Sequence, residues 1–280
     1  MFIGPAFLFF LFFMMLPVVA SMGLVFASWT GFSLNQIKWN GVANFDKAFG
    51  DPVFWRSLGN TALFVVATTV LVNILGFLLA LLTYTRVRGH EFLRIAVFLP
   101  LAVSPVITAI LWQFLLGPYG FINQFLKSIG LADKPVEFLG SPDFAMWTVI
   151  AAAVWQTSGL NLLLFYAGLQ SLSTERLEAA ALDGARYWSR VRWVMVPHLR
   201  PVIAIAVVLN LIGGWKVFDL VFVLTKGGPM RSTEVLSTYM YEQAFEQSHF
   251  GYAAVMVLAI VVFAVISTLV RRPITGAQYS

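Results

Sequence analysis

Seven polar or charged side chains lie inside long apolar stretches of this 280-residue sequence: Asn73, Gln113, Gln156, Asn161, Asn210, Lys216 and Asp219. Polar groups in hydrocarbon are costly, and they usually face a protein interior or a water-filled cavity that carries a solute. We therefore predict Asn161, Asn210, Trp215 and Asp219 as the path of a polar solute. The alternative for the amides is hydrogen bonding between helices. Lys216 and Asp219 are three residues apart, so they are expected to pair on one helix face, either as part of the path or as a self-shielding ion pair.

A second group of residues with a possible function lies in the charge-rich segment from Ser173 to Pro201. Its apolar residues recur at steps of three and four, which predicts an amphipathic helix. Ser173 or Thr174 can cap the start of that helix. Gly184 is expected to break the helix or to let another backbone approach closely, and Pro197 is expected to mark a helix end. An ordinary amphipathic loop on a membrane surface is the alternative interpretation.

The spacing in this segment resembles a known family. Glu178-Ala179-Ala180 is followed after three residues by Gly184, and after nine more by Val194, with Val196-Pro197 closing the pattern. This is similar to the loop of the membrane subunits of bacterial binding-protein-dependent ABC importers, which usually have Ile and Leu at the two valine positions. The resemblance implies that the loop is cytoplasmic and docks as a coupling helix on an ATPase. The residues that it assigns to ATPase coupling are Glu178, Ala179, Ala180, Asp183, Gly184 and Pro197.

Composition places these residues in a membrane protein. The chain is 59% hydrophobic and 11% charged, whereas soluble domains have about 25% charged residues. A helix needs about 20 apolar residues to cross a bilayer, so the charge-free runs predict an all-α polytopic bundle of six transmembrane helices in one domain. The expected spans are about 2–29, 58–85, 95–117, 144–171, 201–224 and 249–270, with a coupling loop at 173–200. The +5 net charge is concentrated at span ends, so we expect a lipid membrane and no nucleic acid as a partner.

The basic residues also predict an orientation. Ten of them fall on the side of the charge-rich segment: Arg86, Arg88, Arg94, Arg176, Arg186, Arg190, Arg192, Arg200, Arg271 and Arg272. Seven fall on the other side: Lys38, Lys47, Arg56, Lys127, Lys134, Lys226 and Arg231. Because short cytoplasmic loops carry the excess of basic residues, the charge-rich segment and both termini are expected in the cytoplasm. The resemblance implies that the membrane is the inner membrane of a bacterium.

A second stretch narrows the class of solute. The run from Phe218 to Pro229, which ends in Gly227-Gly228-Pro229, and the polar aromatic segment after it resemble the external loop of sugar-type importer subunits. That group includes maltose, multiple-sugar and glycerol-phosphate systems. The resemblance implies four partners besides a carbohydrate: a second homologous permease subunit, two ATP-binding subunits and an extracytoplasmic solute-binding protein. Lys216 is the one cation within a span, which favours a neutral carbohydrate over glycerol phosphate.

The sequence favours transport over catalysis. It contains no G-x-x-x-x-G-K-[ST] loop, no Ser-His-Asp pattern and no cysteine, so we expect no enzymatic activity, no cofactor and no metal in this chain, with ATP and Mg²⁺ held by partner ATPase subunits. Alternating access driven by that ATPase is the expected mechanism. A secondary ion-coupled transporter, a non-transport membrane scaffold, and an importer subunit for glycerol phosphate or another small polar solute remain alternatives.

Overall fold

A computed structural model describes residues 3–85 and 89–269 of the chain. Within this part, six helices are long and apolar enough to cross a membrane. They span Gly4–Leu24, Pro52–Tyr84, Pro105–Ser128, Pro142–Gln170, Tyr187–Trp215 and Phe250–Leu269. The expected all-α bundle of six helices is thereby confirmed. The start of the first expected span at Phe2, the end of the sixth at Val270, and Arg86, Arg88, Arg271 and Arg272 lie outside the described residues.

The first third of the chain contains the first membrane-spanning helix, a small hairpin, a short helix and the long second membrane-spanning helix. The elements are α1 (Ile3–Phe10), a π-helical turn (Leu11–Met15), α2 (Leu16–Leu24), β1 (Ala27–Ser28), a 3₁₀ turn (Leu34–Gln36), β2 (Lys38–Trp39), α3 (Ala43–Gly50) and α4 (Pro52–Tyr84). The two strands pair antiparallel, with Ala27 opposite Trp39 and Ser28 opposite Lys38. Asp51 caps α4, since its carboxylate accepts a 2.8 Å hydrogen bond from the Val53 N–H.

The middle of the chain contains a helix that is broken inside the expected third span. The elements are α5 (His90–Ala102), α6 (Pro105–Leu116), α7 (Phe121–Ser128) and α8 (Pro142–Gln170). Val103 is extended, and the Ser104 side chain caps α6 by accepting from the Ile107 N–H. Pro105 is the first residue of α6, a position where the missing N–H costs no hydrogen bond. The expected third span is therefore two helices joined by a two-residue break.

The last third contains the largest departure from the expected boundaries. The elements are α9 (Thr174–Leu182), α10 (Tyr187–Arg190), a π-helical turn (Val191–Met195), α11 (Val196–Trp215), α12 (Asp219–Thr225), α13 (Leu236–Tyr241), a second π-helical turn (Glu242–Glu246) and α14 (Phe250–Leu269). The fifth span was expected at 201–224, but the helix begins at Tyr187 and ends at Trp215. Pro197 does not end it, since Pro197 is the second residue of α11, which continues from the π-helical turn Val191–Met195.

Close approach between helices organises the interior of the bundle. α4 and α8 cross where Gly76 faces Asn161, and a Cβ added to Gly76 would lie 2.5 Å from the Asn161 Cβ. Gly159 of α8 faces α5, and an added Cβ there would lie 2.5 Å from the Val97 carbonyl oxygen. Small residues at such contacts let two backbones pack directly. The first helix is different, because no residue of its apolar window is buried within the described chain.

Candidate functional site

The charge-rich segment begins with a short exposed helix. α9 carries Glu178 and Ala179 on its exposed surface, with Ala180 half-buried beside them. Leu182 is 89% exposed and Trp188 is 66% exposed. Leu177, by contrast, packs against a buried cluster built from α4, α8 and α11. One face of α9 is therefore anchored to the bundle, and its other face presents charged and apolar groups with no partner in the described chain.

Gly184 ends α9 by a specific backbone geometry. Its φ is +80°, and the Ala185 N–H donates to the Ala180 carbonyl while the Gly184 N–H donates to the Ala181 carbonyl. This pair of bonds is the Schellman ending, which places glycine at the left-handed position. An added Cβ at Gly184 would meet no atom within 4 Å. Of the two roles expected for Gly184, the described chain shows the helix break, and Asp183 lies directly before it.

The remainder of the predicted coupling loop is not a loop. Residues 187–200 are helical and continue into the fifth span, so Pro197 lies within a helix instead of at its end. The basic residues made this stretch look like a loop, but Arg192 and Arg200 are exposed along the helix surface. Long basic side chains can extend from a helix towards the membrane interface. The part of the segment that precedes the helix of the fifth span is thus limited to residues 173–186, and Pro197 is half-buried within that helix.

A cavity of about 370 Å³ lies between α4, α8, α11 and α12, next to the break before α6. Its polar lining residues are Thr68, Gln156, Thr157, Asn210, Lys216 and Asp219. Two of the four residues predicted for the solute path, Asn210 and Asp219, therefore line one cavity. The Asn210 Nδ2 is buried without a hydrogen-bond partner in the described chain. An unpaired buried amide is expensive, so Asn210 is a cavity-lining residue whose hydrogen-bonding capacity the described chain leaves unused.

The predicted pairing of Lys216 with Asp219 is wrong. α11 ends at Trp215, Lys216 and Val217 form a turn, and α12 begins at Asp219, so the two residues do not share one helix face. Among the described residues, no salt bridge within 4.0 Å joins them. Both side chains are exposed to the cavity instead. Their opposite charges therefore lie apart in one cavity, where they can contact separate groups of a bound molecule.

The other two residues predicted for the solute path lie outside this cavity. Trp215 is 6% exposed, its indole N–H donates a 2.8 Å hydrogen bond to the Ser267 Oγ, and its ring stacks on Phe263 with centroids 5.1 Å apart. Trp215 therefore anchors α11 to α14. Asn161 is 1% exposed at the contact with Gly76, and its Nδ2 has no partner in the described chain. Sequence position alone could not show which way either side chain turns.

Two glutamines show the helix-to-helix hydrogen bonds that were the alternative for the amides. The Gln113 amide donates to the carbonyls of Val223 and Leu224 at 2.7 and 3.1 Å, which ties α6 to α12. The Gln156 amide donates to the Val103 carbonyl at 2.9 Å, which satisfies the backbone at the break before α6. Gln156 also lines the cavity. These bonds hold the cavity walls in place. The walls contain two helix breaks, one between α5 and α6 and the other between α11 and α12.

The face opposite α9 is held together in part by the half-buried carboxylate of Asp51, which no sequence motif singles out. Asp51 accepts hydrogen bonds from the hydroxyls of Tyr239 and Tyr252, the second at 2.6 Å. Burial opposes ionisation of Asp51, but these hydroxyls and the backbone N–H groups of Val53 and Phe54 outweigh it and lower the pKa of Asp51 below its usual value. Asp51 therefore joins the start of α4 to α13 and α14.

The loop after α12 adds a second connection on the same face. Arg231 donates to Glu234 at 3.1 Å and to both carboxylate oxygens of Glu242 at 2.8 and 2.9 Å. The hydrogen bond with Glu242 raises the pKa of Arg231, and burial raises the pKa of Glu234. The Asn60 amide of α4 donates to the Glu234 carbonyl at 2.9 Å. Thr233 ties the Gly227-Pro229 turn to this loop, since its N–H donates to the Gly227 carbonyl and its hydroxyl donates to the Gly228 carbonyl.

The fold and the cavity define a multi-pass membrane protein with room for a small solute between its helices. Residues 72–274 match the family described as "Binding-protein-dependent transport system inner membrane component". The chain belongs to this family of ABC transporter permease subunits, a class of membrane subunit that is not itself an enzyme.

Relatives and solved structures agree with this assignment over almost the whole chain. The lactose transport system permease protein LacF of Rhizobium radiobacter is 34% identical over 274 residues, which cover 96% of this chain and 91% of LacF. The trehalose/maltose transport system permease protein MalF of Thermococcus litoralis is 35% identical over 198 residues, covering 70% and 66% of the two chains. A chain of a bacterial ABC transporter involved in import of the acidic polysaccharide alginate superposes with a TM-score of 0.82 at 25% identity, covering 97% and 93% of the two chains.

Proposed function

We propose that this chain is a pore-forming subunit that moves a carbohydrate into the cell by alternating access. The observation that carries the proposal is the cavity in which Asn210, Lys216 and Asp219 face one space beside two helix breaks. An amide donor, an ammonium and a carboxylate are groups that bind the hydroxyls of a sugar. The names of the relatives support the class of solute, since they include permeases for lactose and for trehalose and maltose.

The exposed face of α9 supports coupling to a separate ATPase. Glu178 and Ala179 lie on a short helix that is anchored on one side only, and Asp183 and Gly184 form its C-terminal end. The sequence has no phosphate-binding loop of the G-x-x-x-x-G-K-[ST] kind, so ATP and Mg²⁺ would be held by two ATP-binding subunits. A conformational change needs contacts that differ between two states. Docking of α9 on the ATPase supplies such contacts.

The orientation and the remaining partners complete the proposal. The excess of basic residues on the α9 side favours a cytoplasmic α9 and cytoplasmic termini. The opposite face, with Asp51 and the Arg231 network, would then meet an extracytoplasmic solute-binding protein, while a second homologous permease completes the pore. A solved alginate transporter similar to this chain is in complex with an alginate pentasaccharide-bound periplasmic protein, which supports a partner of this kind.

Affinity purification from mild detergent tests the proposed assembly. The tagged chain is expected to bring down an ATPase, a second six-helix subunit and an external binding protein, as identified by mass spectrometry. Recovery of the chain alone, even after crosslinking, would refute the assembly and favour an ion-coupled transporter. Glu178→Lys should abolish ATP-dependent uptake without lowering the amount in the membrane, because it reverses a charge on the exposed face of α9. Arg176→Glu reverses a charge at another position of α9, and comparing its uptake with that of Glu178→Lys shows whether the effect depends on the position of Glu178.

A further inference from the structure

A second cavity, of about 660 Å³, lies on the face opposite α9. Its walls are the hairpin β1–β2, the helix α3 and the start of α14. It is separate from the solute cavity between α8 and α11, because the two share no lining residue. Its volume falls in the range of small-molecule sites, about 300–1,000 Å³.

The walls of this outer cavity are fixed by buried hydrogen bonds. The Asn44 amide donates to the carbonyls of Val25 and Ala27 at 2.8 and 3.0 Å, which holds the hairpin against α3. The Phe250 N–H donates to the Trp29 carbonyl at 3.1 Å, which holds the hairpin against α14. A Cβ added to Gly251 would lie 1.9 Å from the Ala27 carbonyl oxygen, so the two backbones touch there. The cavity is therefore preformed.

Its charges are of one sign. Lys38 and Lys47 both line the cavity, and no carboxylate does. Neither lysine forms a salt bridge within the described chain. The Lys47 ammonium lies 4.2 Å from the centre of the Tyr252 ring, and the hydroxyl of that ring donates a hydrogen bond to Asp51. Two ammonium groups in one concave site attract an anion.

The remaining lining groups select more than a bare anion. Phe32 is 84% exposed, which leaves a large apolar surface beside the cations. The Trp29 indole N–H donates to the Ser33 carbonyl at 2.8 Å, so the ring is held in place. The Gln36 carbonyl accepts from Thr30 at 2.9 Å, which leaves the Gln36 NH₂ group to donate. Aromatic faces together with amide and ammonium donors suit a ring that carries hydroxyls and a negative charge.

We propose that this outer cavity binds an acidic saccharide, a sugar that bears a carboxylate, before it enters the solute path. The proposal rests on the proposed function and narrows its solute class. It differs from the neutral carbohydrate favoured by the sequence, because Lys38 lies in strand β2 and Lys47 in the short helix α3, and neither was counted as a cation within a span. The carboxylate would contact the two lysines, and the sugar ring would pack on Phe32.

Equilibrium binding to the purified complex tests the site without requiring transport. Trigalacturonate is the acidic probe, and maltotriose is the neutral control of the same length, both measured by titration calorimetry in detergent and in nanodiscs with anionic lipid. Trigalacturonate is expected to bind at least about tenfold more tightly than maltotriose, and Lys38→Gln with Lys47→Gln should weaken it about tenfold. Lys127→Gln, which removes a lysine outside the cavity, should leave binding unchanged.

Four results would overturn the inference. The two trisaccharides could bind equally tightly, or the double variant could bind trigalacturonate as tightly as the unchanged protein does. Citrate could compete for the site as well as trigalacturonate itself, or trigalacturonate binding could be lost whenever anionic lipid is present. Citrate competition would indicate a site for any small anion, and lipid competition would indicate a site for a headgroup.

Failure of saccharide binding at this cavity can be told apart from failure of the proposed function. If trigalacturonate does not bind but the complex imports another sugar with ATP, the proposed function stands without this site. If it binds and no sugar is imported, the proposed function fails instead.

Discussion

Replacing Gly184 with alanine should loosen the end of α9 without disturbing the bundle. Gly184 has a φ of +80°, and an added Cβ would meet no atom within 4 Å, so the change adds backbone strain and no clash. A residue with a Cβ pays about 1–2 kcal/mol in the left-handed conformation. The equilibrium between the closed and the frayed helix end should therefore shift about 5- to 30-fold towards fraying.

Hydrogen exchange measures this shift directly. The amides of Gly184 and Ala185 donate to the carbonyls of Ala181 and Ala180 and close the helix end. Their protection should fall about 5- to 30-fold in Gly184→Ala, while the amides of α4 and α8 keep theirs. Gly184→Asn is the matched control, because asparagine adopts the left-handed conformation more readily than alanine. Sugar uptake should fall in the same order, with alanine lower than asparagine.

Two results would contradict the role of the left-handed conformation at Gly184. Unchanged protection in Gly184→Ala would show that the left-handed geometry is not what holds the end of α9. An equal loss in the alanine and asparagine variants would show that the effect comes from the side chain and not from φ.

Three further perturbations test the packing and the cavity. Asp51→Ala should lower the free energy of unfolding by about 2–3 kcal/mol at pH 7. Because the pKa of Asp51 is lower in the folded state than in the unfolded state, this loss should shrink as the pH falls below about 4. Thermal unfolding of both proteins at pH 7 and pH 3 measures the difference. Trp215→Phe should cost about 1 kcal/mol, since it loses the bond to Ser267 but keeps the stack on Phe263, whereas Trp215→Ala should cost about 3–5 kcal/mol, and equal melting temperatures would contradict this. Asn210→Leu should reduce uptake at least about tenfold at an unchanged membrane level, because it removes the free amide from the cavity; normal uptake would exclude Asn210 from the path.

The six-helix bundle was predictable because hydrophobic length is a strong signal. A run of about 20 residues without charge has few alternatives to a membrane helix. The boundaries were less predictable where basic side chains lie on a helix. Arg190, Arg192 and Arg200 indicated a loop, yet they lie on a helix that enters the fifth span. The sequence distinguishes charged from uncharged residues, but not a loop from the interfacial turns of a helix.

The solute path was predicted only in part because side-chain direction depends on tertiary structure. Asn210 and Asp219 line the cavity, whereas Trp215 turns away from it and packs on α14. α11 ends at Trp215 and α12 begins at Asp219, so Lys216 and Asp219 belong to different elements. The one sign of this break in the sequence is the pair Gly213-Gly214 just before it. The contact of Asp51 with Tyr239 and Tyr252 could not be read from the sequence, since Asp51 lies 188 and 201 positions before the two tyrosines.

The polar contacts around Asp51 determine where the bundle can pivot. Asp51 fastens the first residues of α4 to α13 and α14, and Asn60 fastens α4 to the loop before α13. We expect these hydrogen-bonded ends to move less relative to one another than the remainder of α4. A small rotation there produces a larger displacement at the far end of α4, some 33 residues away, which is the end where α9 lies. The amplitude of movement should therefore increase steadily along α4 from the Asp51 face to the α9 face.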